Sequence, residues 1–341
     1  MFRFLYRAKQ YSLTQFGRYI GLFLVSFVFL SACSNLRPAE SPVVIPEVVV
    51  KPEIVIQPVV PEIIKPANIS VLVSSTAKVY GHIADKLEAS KNFRITKYVM
   101  SGYDNRDAQL LAAIQESPNK QVVVIGLRAA RSAMRLLHKQ VIFCQVFDHK
   151  NEQLSSGNMK GVSILPSADK LLKDWKIISP GIRKIVLITG TGLDNYINSA
   201  KQAAERNGID LTHLEVNTDK EYLYTTKNLP LDVQGFWLLP DNRVLSLQVL
   251  KDVMAFNSKA GRQMVVFNRD LLSFGGLMST EPDLDEVSML IKKRLANARG
   301  LDHVPGEDVV LLNEHQLSIN KKVAGQLGIV IPEKFMAKVY D

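Results

Sequence analysis

Short runs rich in valine and isoleucine alternate with amphipathic stretches along the chain from residue 68 onward. Such runs are typical of buried strands, and apolar positions spaced three or four residues apart are typical of helices. The predicted strands are Ile69–Val73, Arg94–Val99, Gln121–Ile125, Gln140–Val146, Val162–Ile164, Lys184–Ile188, Leu211–Val216, Gly235–Leu239 and Met264–Phe267. The predicted helices are Val79–Ser90, Asp107–Gln115, Arg128–Leu137, Ala168–Trp175, Asn195–Arg206 and Val244–Asn257.

This alternation predicts an α/β fold, because strands that take turns with helices form parallel sheets from right-handed βαβ units. The turn residues Ser179-Pro180-Gly181 divide the pattern into two series. We therefore expect two doubly wound parallel-sheet lobes joined by a hinge, with a cleft between them. The N-terminal lobe is predicted to hold residues 67–177 and 272–302, and the C-terminal lobe residues 178–271 and 303–341.

The first 33 residues carry a targeting pattern. Four basic residues and no acidic one precede an apolar run from Tyr19 to Leu30. The end of this run is the start of the sequence Leu30-Ser31-Ala32-Cys33. Basic, then apolar, then small residues are typical of a secretory signal peptide, and a run of about 12 residues is shorter than the roughly 20 that span a membrane. The cysteine after Leu-Ser-Ala resembles the bacterial lipobox, which implies cleavage after residue 32 and a lipid on Cys33. The alternative is a plain signal peptide followed by a chance cysteine.

Residues 33–66 are predicted to be a tether. Seven of the 15 prolines of the chain fall in this segment. Proline fixes φ and removes a backbone donor, so the segment should be extended and polyproline-like rather than packed. At about 3.1 Å per residue, it could hold the following body up to roughly 90 Å from a lipid anchor.

Charge and cysteine content narrow the function classes. The formal charge of +9 contains four basic residues of the predicted leader, so 38 basic and 33 acidic residues remain after cleavage. In an exported protein, this mild excess is better explained by a solvated surface than by nucleic acid. Of the two cysteines, Cys144 lies in an apolar run and is predicted to be a small buried side chain without a disulfide partner.

Enzyme signatures are weak, and we expect no catalytic site, cofactor or metal. The segment Gly190–Asn195 nearly matches a dinucleotide fingerprint, but Asn195 replaces its third glycine. The six histidines show no pair at metal-ligand spacing, and neither a Gly-x-Ser-x-Gly motif nor a phosphate-binding Gly-Lys-Ser/Thr loop occurs. Pro282-Asp283 is predicted to open a helix. The acids Asp283, Asp285 and Glu286 then lie at its N-terminus, where helix capping and the helix dipole explain them better than catalysis.

The last third of the chain carries a family resemblance. Gly275-Gly276-Leu277-Met278-Ser279 precedes Pro282-Asp283, and Asn320, Ala324, Gly328 and Pro332 follow at a spacing of four. Together with Gly126, Gly161-Val162-Ser163 and Ser179-Pro180, in the same order, these motifs resemble the tryptophan-binding-protein-like group of periplasmic substrate-binding proteins of ABC-type transport systems. The resemblance spans residues 69–335 and implies two lobes that close over a small ligand without catalysis.

The chain departs from the family pattern at several loops that face the expected cleft. Ser74–Lys78 replaces a Gln-Pro approach to the ligand, and Gly126-Leu127 replaces Gly-Thr or Gly-Ser. Asp148-His149 stands where the family tends to show Asp-Pro, and Thr280-Glu281 where it shows Tyr-Gly. These departures predict a different ligand, or a cleft that no longer binds one tightly.

The cleft residues follow from the fold, because ligands of open α/β sheets bind beyond the carboxyl ends of the strands. The predicted ligand-binding residues are Ser74, Ser75, Gly126, Asp148, Thr189, Asn195, Asp241, Gly275 and Gly276. Hydroxyls and backbone N–H groups at helix N-termini would hold an anionic group, Asp148 or Asp241 would pair with an ammonium group, and Phe147, Trp237 and Phe274 could stack on an apolar moiety. The alternative for each polar residue is that it caps a helix.

Two functions remain open. The first is a lipid-anchored periplasmic solute-binding protein that delivers an amino acid or related small molecule to an ABC-type permease. The second is a non-transport outer-membrane lipoprotein that uses the same fold for protein–protein regulation or ligand sensing. Ser34 lacks the aspartate that tends to retain lipoproteins at the inner membrane of Gram-negative bacteria, which favours the outer membrane.

Overall fold

Two β-sheets organise residues 66–340, the part of the chain that this computed structural model describes. The first sheet is entirely parallel and has the order β11-β5-β4-β3-β1-β2. Its strands are β1 (Ala67–Val73), β2 (Phe93–Val99), β3 (Gln121–Ile125), β4 (Gln140–Cys144), β5 (Met159–Val162) and β11 (Val309–Val310). The predicted signal peptide, Cys33 and nearly all of the predicted tether lie outside the described residues.

The second sheet has seven strands in the order β13-β12-β10-β9-β8-β6-β7. They are β6 (Lys184–Thr189), β7 (Asp210–Glu215), β8 (Gly235–Trp237), β9 (Gln263–Val266), β10 (Met278–Pro282), β12 (His315–Asn320) and β13 (Val339–Tyr340). All pairings are parallel except that of β10 with β12. The predicted α/β fold with two mostly parallel sheets is confirmed.

Nine α-helices flank the two sheets within residues 66–340. They are α1 (Lys78–Glu88), α2 (Asp104–Glu116), α3 (Leu127–Ala133), α4 (Ala168–Ile178), α5 (Asp194–Arg206), α6 (Asp219–Lys227), α7 (Leu247–Lys259), α8 (Leu284–Asn297) and α9 (Lys321–Gln326), with short 3-10 segments at Arg269–Phe274 and Glu333–Lys338. Helix α3 ends four residues before the predicted Leu137. Helix α6 was not predicted, although Thr218 and Glu221 form a capping pattern at its start: the Thr218 hydroxyl accepts from the Glu221 N–H at 3.1 Å.

Each sheet is buried on both faces, which explains why its strands read as continuous apolar runs. In β3, Val123 and Ile125 pack into one core cluster, while Val122 and Val124 pack into the cluster on the opposite face. The second sheet is divided in the same way between two further clusters. Cys144 is fully buried and free, as the sequence indicates.

The chain crosses between the sheets three times. It leaves the first sheet after β5, returns at Asp283, and leaves again between β11 and β12. These crossings differ from the predicted lobe boundaries: α4 packs into the core of the second sheet, β10 is part of that sheet, and β11 belongs to the first. The reason is that the chain crosses in the short segments before α4 and α8, and not at the more conspicuous Ser179-Pro180-Gly181 turn.

Helix α8 begins one residue later than Pro282-Asp283 predicts. Pro282 is the last residue of β10, and the Asp283 carboxylate caps α8 by accepting from the N–H groups of Asp285 (2.8 Å) and Glu286 (3.0 Å). The Glu286 carboxylate in turn accepts from the backbone N–H groups of Asn313 and Glu314, with the shortest of these bonds at 2.8 Å. The second and third crossings are therefore tied together by one buried side chain.

Candidate functional site

The loops that follow β4, β6 and β8 meet between the lobes. Asn151, from the loop after β4, donates its side-chain N–H to the Thr191 carbonyl after β6 at 3.2 Å. Arg243, from the loop after β8, reaches both the Thr191 carbonyl, at 2.7 Å, and the Asp148 carboxylate of the first lobe. The carboxyl ends of the two sheets thus face one another, as ligand binding in this fold requires.

Arg243 is held in place by a second carboxylate from its own lobe. Its Nε and Nη2 atoms donate to Asp241 Oδ1 and Oδ2, both at 2.7 Å, so the pair is bidentate. Asp241 is only 1% exposed, and its Oδ2 also accepts from the Gly190 N–H at 2.8 Å. The hydrogen bond to Asp241 raises the pKa of Arg243 against the opposing effect of burial, and Asp148 acts in the same direction.

This arrangement changes the chemistry expected of Asp148 and Asp241. One or the other was predicted to pair with a ligand ammonium group, and the structure pairs both with the guanidinium of Arg243. Asp148 is further occupied by Asn151, whose side-chain N–H donates to it at 2.9 Å. Arg243 therefore joins Asp148 of the first lobe to Asp241 of the second, an arrangement that we call the Arg243 bridge.

A cavity of about 230 Å³ lies between the lobes at the crossings. Its walls are mostly apolar, and polar groups from both lobes enter it. The lining residues are Val79 and Gln145 from the first lobe, Ile164, Leu165, Pro166 and Pro282 from the crossings, and Trp237, Leu238, Leu239, Pro240, Phe267, Asn268, Thr280 and Glu281 from the second lobe. We call it the hinge cavity. An apolar pocket with a few converging polar groups is the usual form of a small-molecule site.

Gln145 is the main polar group that the first lobe contributes to the hinge cavity. It follows the last residue of β4, is 9% exposed, and has a φ of +57°. A positive φ is unfavourable for a residue with a side chain, and such strain tends to persist at functional sites. The Nε2 atom of Gln145 is buried and has no hydrogen-bond partner. A ligand acceptor atom would satisfy this donor.

Glu281 is the single charged side chain among the residues that line the hinge cavity. Burial raises the pKa of its carboxyl above the usual value, and the nearby charge of Asp270 adds to this. A hydrogen bond from the Arg269 backbone N–H and the positive charge of Arg269 act in the opposite direction but do not cancel the effect of burial. The cavity therefore has an acidic pole in the second lobe.

The residues predicted to bind ligand have other contacts in the structure. The Ser74 hydroxyl accepts from the Ala129 N–H at 2.9 Å and so caps α3, and the exposed Ser75 accepts from the Ala77 N–H at 3.3 Å. Gly126 has a φ of +92°, and a Cβ there would lie 2.6 Å from Ser74 Oγ. The buried Thr189 hydroxyl donates to the Gly190 carbonyl at 2.9 Å.

Gly275 and Gly276 shape a turn beside β9 rather than a wall of the hinge cavity. Gly275 has a φ of +98° at the end of a 3-10 segment, and a Cβ there would lie 2.9 Å from Ser258 Oγ. At Gly276 a Cβ would lie 3.2 Å from the side chain of Val266. Phe274 is 52% exposed, whereas Trp237 is among the residues that line the hinge cavity.

Asn195 lines a second cavity, of about 350 Å³, which also includes the predicted aromatic residue Phe147. Residues of both lobes form its walls, and Leu165 is shared with the hinge cavity. None of the nine predicted ligand-binding residues lines the hinge cavity itself. Among the described residues, no group of histidine, cysteine and acidic side chains could hold a metal ion, and no helix is long and apolar enough to cross a membrane.

The sequence contained signals for the residues that were missed. Gln145 directly follows β4, at the carboxyl end of the strand, where ligands of this fold bind. Asp148, three residues later, was predicted in its place. Arg243 lies two residues after Asp241, and Glu281 was noted only as a departure from the family pattern. The orphaned amide of Gln145 and the desolvation of Glu281 depend on tertiary packing, which a sequence pattern does not contain.

The chain is similar to known proteins in both sequence and fold. A family model described as ABC transporter substrate binding protein matches residues 88–340. A structure from Streptococcus pneumoniae described as an ABC domain in complex with L-Trp is 21% identical, with a TM-score of 0.57, over 81% of this chain and 100% of that one. Comparison with curated protein sequences gives no match.

Two further solved structures share the fold. A conserved domain protein from Vibrio cholerae is 19% identical, with a TM-score of 0.55, over 81% of this chain and 99% of that one. The ligand-free, open structure of CD0873 from Clostridium difficile, described as a substrate-binding protein with adhesive properties, is 15% identical, with a TM-score of 0.61 and the same coverage. At these identities the likeness shows the fold alone.

Proposed function

Since the chain belongs to the family of ABC transporter substrate-binding proteins, we propose that it captures a small solute in the hinge cavity and delivers it to an ABC-type permease. The observation that carries this proposal is Gln145, a first-lobe residue that lines the cavity and whose buried Nε2 has no hydrogen-bond partner, while the other polar residues of the lining come from the second lobe. A ligand that bonds to groups of both lobes stabilises the closed arrangement, because it binds the closed form better than the open one.

An amino acid or a related compound is the solute class that we propose. The relative from Streptococcus pneumoniae is described as a complex with L-Trp, and the hinge cavity combines apolar walls with a carboxylate and an amide. We assign the chain no catalytic role, in keeping with a family whose members bind solutes and generally do not catalyse reactions.

Family members are typically extracytoplasmic, and we propose that this chain is a lipoprotein of the cell envelope. The support is the Leu30-Ser31-Ala32-Cys33 sequence after an apolar run, with Cys33 as the lipidated residue. The proline-rich segment 33–66 would then hold the two lobes away from the membrane, and Ser34 favours the outer membrane in a Gram-negative cell.

Thermal unfolding of the full chain against a panel of amino acids, nucleosides and sugars tests solute capture. A ligand present at about 100 times its Kd adds about 2.7 kcal/mol to the free energy of unfolding. The substitution Gln145→Ala should remove the shift, because it removes the amide that lines the hinge cavity. Gln153→Ala is the matched control, since Gln153 also has a positive φ but is exposed and does not line the hinge cavity. Silence across the panel would contradict the proposal.

A second function, protein–protein regulation by a non-transport lipoprotein, is favoured by the Arg243 bridge. The bridge joins the lobes with side chains of the protein itself, so a closed form does not require a bound solute. If the panel gives no shift, capture of envelope proteins by the tethered chain is the next experiment, and a partner whose binding is lost in Asp148→Asn would support this function.

A further inference from the structure

The charged groups in and around the hinge cavity indicate the charge of the ligand that it binds. Glu281 is the single ionisable side chain in the lining, and it is paired with no lysine or arginine side chain in the described part of the chain. Arg269 donates its backbone N–H to Glu281, and its positive charge lowers the pKa of that carboxyl without cancelling the effect of burial. Its guanidinium lies over the ring of Tyr340, 4.8 Å from the centroid. A carboxylate removed from water without a cation is costly.

The cations of the neighbouring loop do not reach Glu281. Arg243 joins the lobes at the functional site, and all three of its donor nitrogens are taken up by bonds to Asp241, Asp148 and Thr191. Neither Arg243 nor any other basic residue lines the hinge cavity. A cationic ligand would therefore supply the directly paired positive charge that the lining of the cavity does not give Glu281.

Gln145 adds a second requirement from the opposite lobe. Its unpartnered Nε2 is a neutral donor, and it calls for an acceptor atom on the ligand rather than for a full negative charge. A carboxylate ligand would bring its charge into a cavity that already holds one carboxylate and no cation, which is unfavourable. The remaining walls, which include Leu165 and Phe267, are mostly apolar, and Asn268 and Thr280 add uncharged polar groups.

We propose that the hinge cavity selects a small organic cation, with an ammonium group on Glu281, an apolar body against the cavity walls, and an acceptor atom or π-face toward Gln145. This inference rests on the proposed function and narrows its solute class. Among amino acids and their relatives, we expect amines to bind more tightly than zwitterions, and zwitterions more tightly than carboxylic acids. Glu281 and Gln145 are then the residues that determine specificity.

Three probes with the same ring separate these classes: phenethylamine carries an ammonium group only, phenylalanine carries an ammonium and a carboxylate, and 3-phenylpropionate carries a carboxylate only. Calorimetric titration of the full chain should give phenethylamine a Kd at least tenfold lower than that of 3-phenylpropionate, with phenylalanine between them. Equal or tighter binding of 3-phenylpropionate would overturn the proposal, as would the absence of phenethylamine binding at millimolar concentration.

The substitution Glu281→Gln keeps the shape of the side chain and removes its charge. We expect it to weaken phenethylamine binding at least tenfold and to leave 3-phenylpropionate unchanged or better bound. Glu116→Gln is the matched control, because Glu116 is exposed at the end of α2 and outside the hinge cavity. Unchanged phenethylamine affinity in Glu281→Gln would overturn the assignment of Glu281.

The two proposals fail in different ways. Suppose that the protein binds 3-phenylpropionate, or an anion from the wider panel, and binds no amine. This result would leave solute capture intact and overturn only the choice of a cation. Absence of binding by every compound of the wider panel and by all three probes would overturn solute capture itself.

Discussion

The guanidinium of Arg243 bonds to the Asp148 carboxylate across the cleft while it remains in a bidentate pair with Asp241 of its own lobe. One side chain thus links the loop after β8 to the loop after β4, and two carboxylates share its charge. Asp148 is 8% exposed, so its charge depends on this partner more than a surface carboxylate would. The bridge is a structural contact between the lobes, and it takes up two carboxylates that were among the predicted ligand-binding residues.

Asp148→Asn should loosen the closed arrangement without unfolding either lobe. Arg243 keeps Asp241, so only the bond between the lobes is weakened, and we expect a loss of about 1–2 kcal/mol in the free energy of unfolding. Small-angle scattering of the ligand-free protein should show a larger radius of gyration.

Asp169→Asn is the control for this prediction, because the Arg206–Asp169 pair is exposed on both sides and lies within one lobe. Its loss should cost less than about 0.5 kcal/mol and leave the scattering unchanged. Equal effects of the two substitutions would show that the Arg243 bridge does not hold the lobes together.

Gln145 combines an unfavourable backbone conformation with an unused donor, so Gln145→Gly should separate stability from binding. Glycine adopts a φ of +57° without strain, and we expect the ligand-free protein to gain about 1 kcal/mol in the free energy of unfolding. Binding of the solute should weaken because its amide partner is removed. Chemical denaturation and calorimetric titration measure the two effects.

Gln153→Gly provides the comparison, since the φ of Gln153 is +52° on an exposed turn. It should stabilise the protein by a similar amount and leave solute affinity unchanged. If Gln145→Gly also left the affinity unchanged, Gln145 would be strained for a reason other than ligand binding.

Elements could be predicted where local pattern and tertiary structure agree. Strand β3 was predicted with its observed ends because four consecutive β-branched apolar residues follow Gln121 and all five residues are buried. Helix α6 was missed because only Tyr222 and Thr226 of its nine residues are buried, which leaves little apolar periodicity to detect. The antiparallel partner strands β10 and β12 were missed because their pairing joins segments more than thirty residues apart.

The candidate site could be predicted to the level of loops but not of side chains. The rule of strand ends located the loops after β4, β6 and β8, which do meet. It could not show that Arg243 occupies Asp148 and Asp241, because that depends on how the lobes close. Nor could it show that the Ser74 hydroxyl caps α3 by accepting from the Ala129 N–H.

Gly161 in β5 should not tolerate a methyl group. A Cβ at this position would lie 2.2 Å from the ring of Phe143 on the neighbouring strand, and Phe143 is itself fully buried. Because the ring cannot move aside in a packed core, Gly161→Ala should cost about 1–3 kcal/mol, measured by denaturant unfolding. Gly157→Ala is the control: nothing lies within 4 Å of a Cβ there, so a comparable loss would contradict the packing argument.

The pH dependence of ligand-free stability tests whether Glu281 lacks a cation. Burial raises the pKa of its carboxyl above the usual 4.5 in the folded protein, so the protonated form is favoured on folding. The resulting stability is fully present below pH 4.5 and is lost as the pH rises through the folded pKa. Arg269 and Asp270 are the charged groups that act on Glu281, with opposite signs.

Glu281→Gln stays neutral at every pH and should therefore lack this loss. We expect its free energy of unfolding to match that of the unchanged protein near pH 4 and to exceed it at pH 7, measured by urea unfolding across this range. Saturating phenethylamine should reverse the order at pH 7, since the ammonium group then stabilises the ionised carboxylate of the unchanged protein. Glu116→Gln should follow the unchanged protein at both ends of the range. A Glu281→Gln protein that is less stable at pH 7 without ligand would mean that a group of the protein already balances this charge.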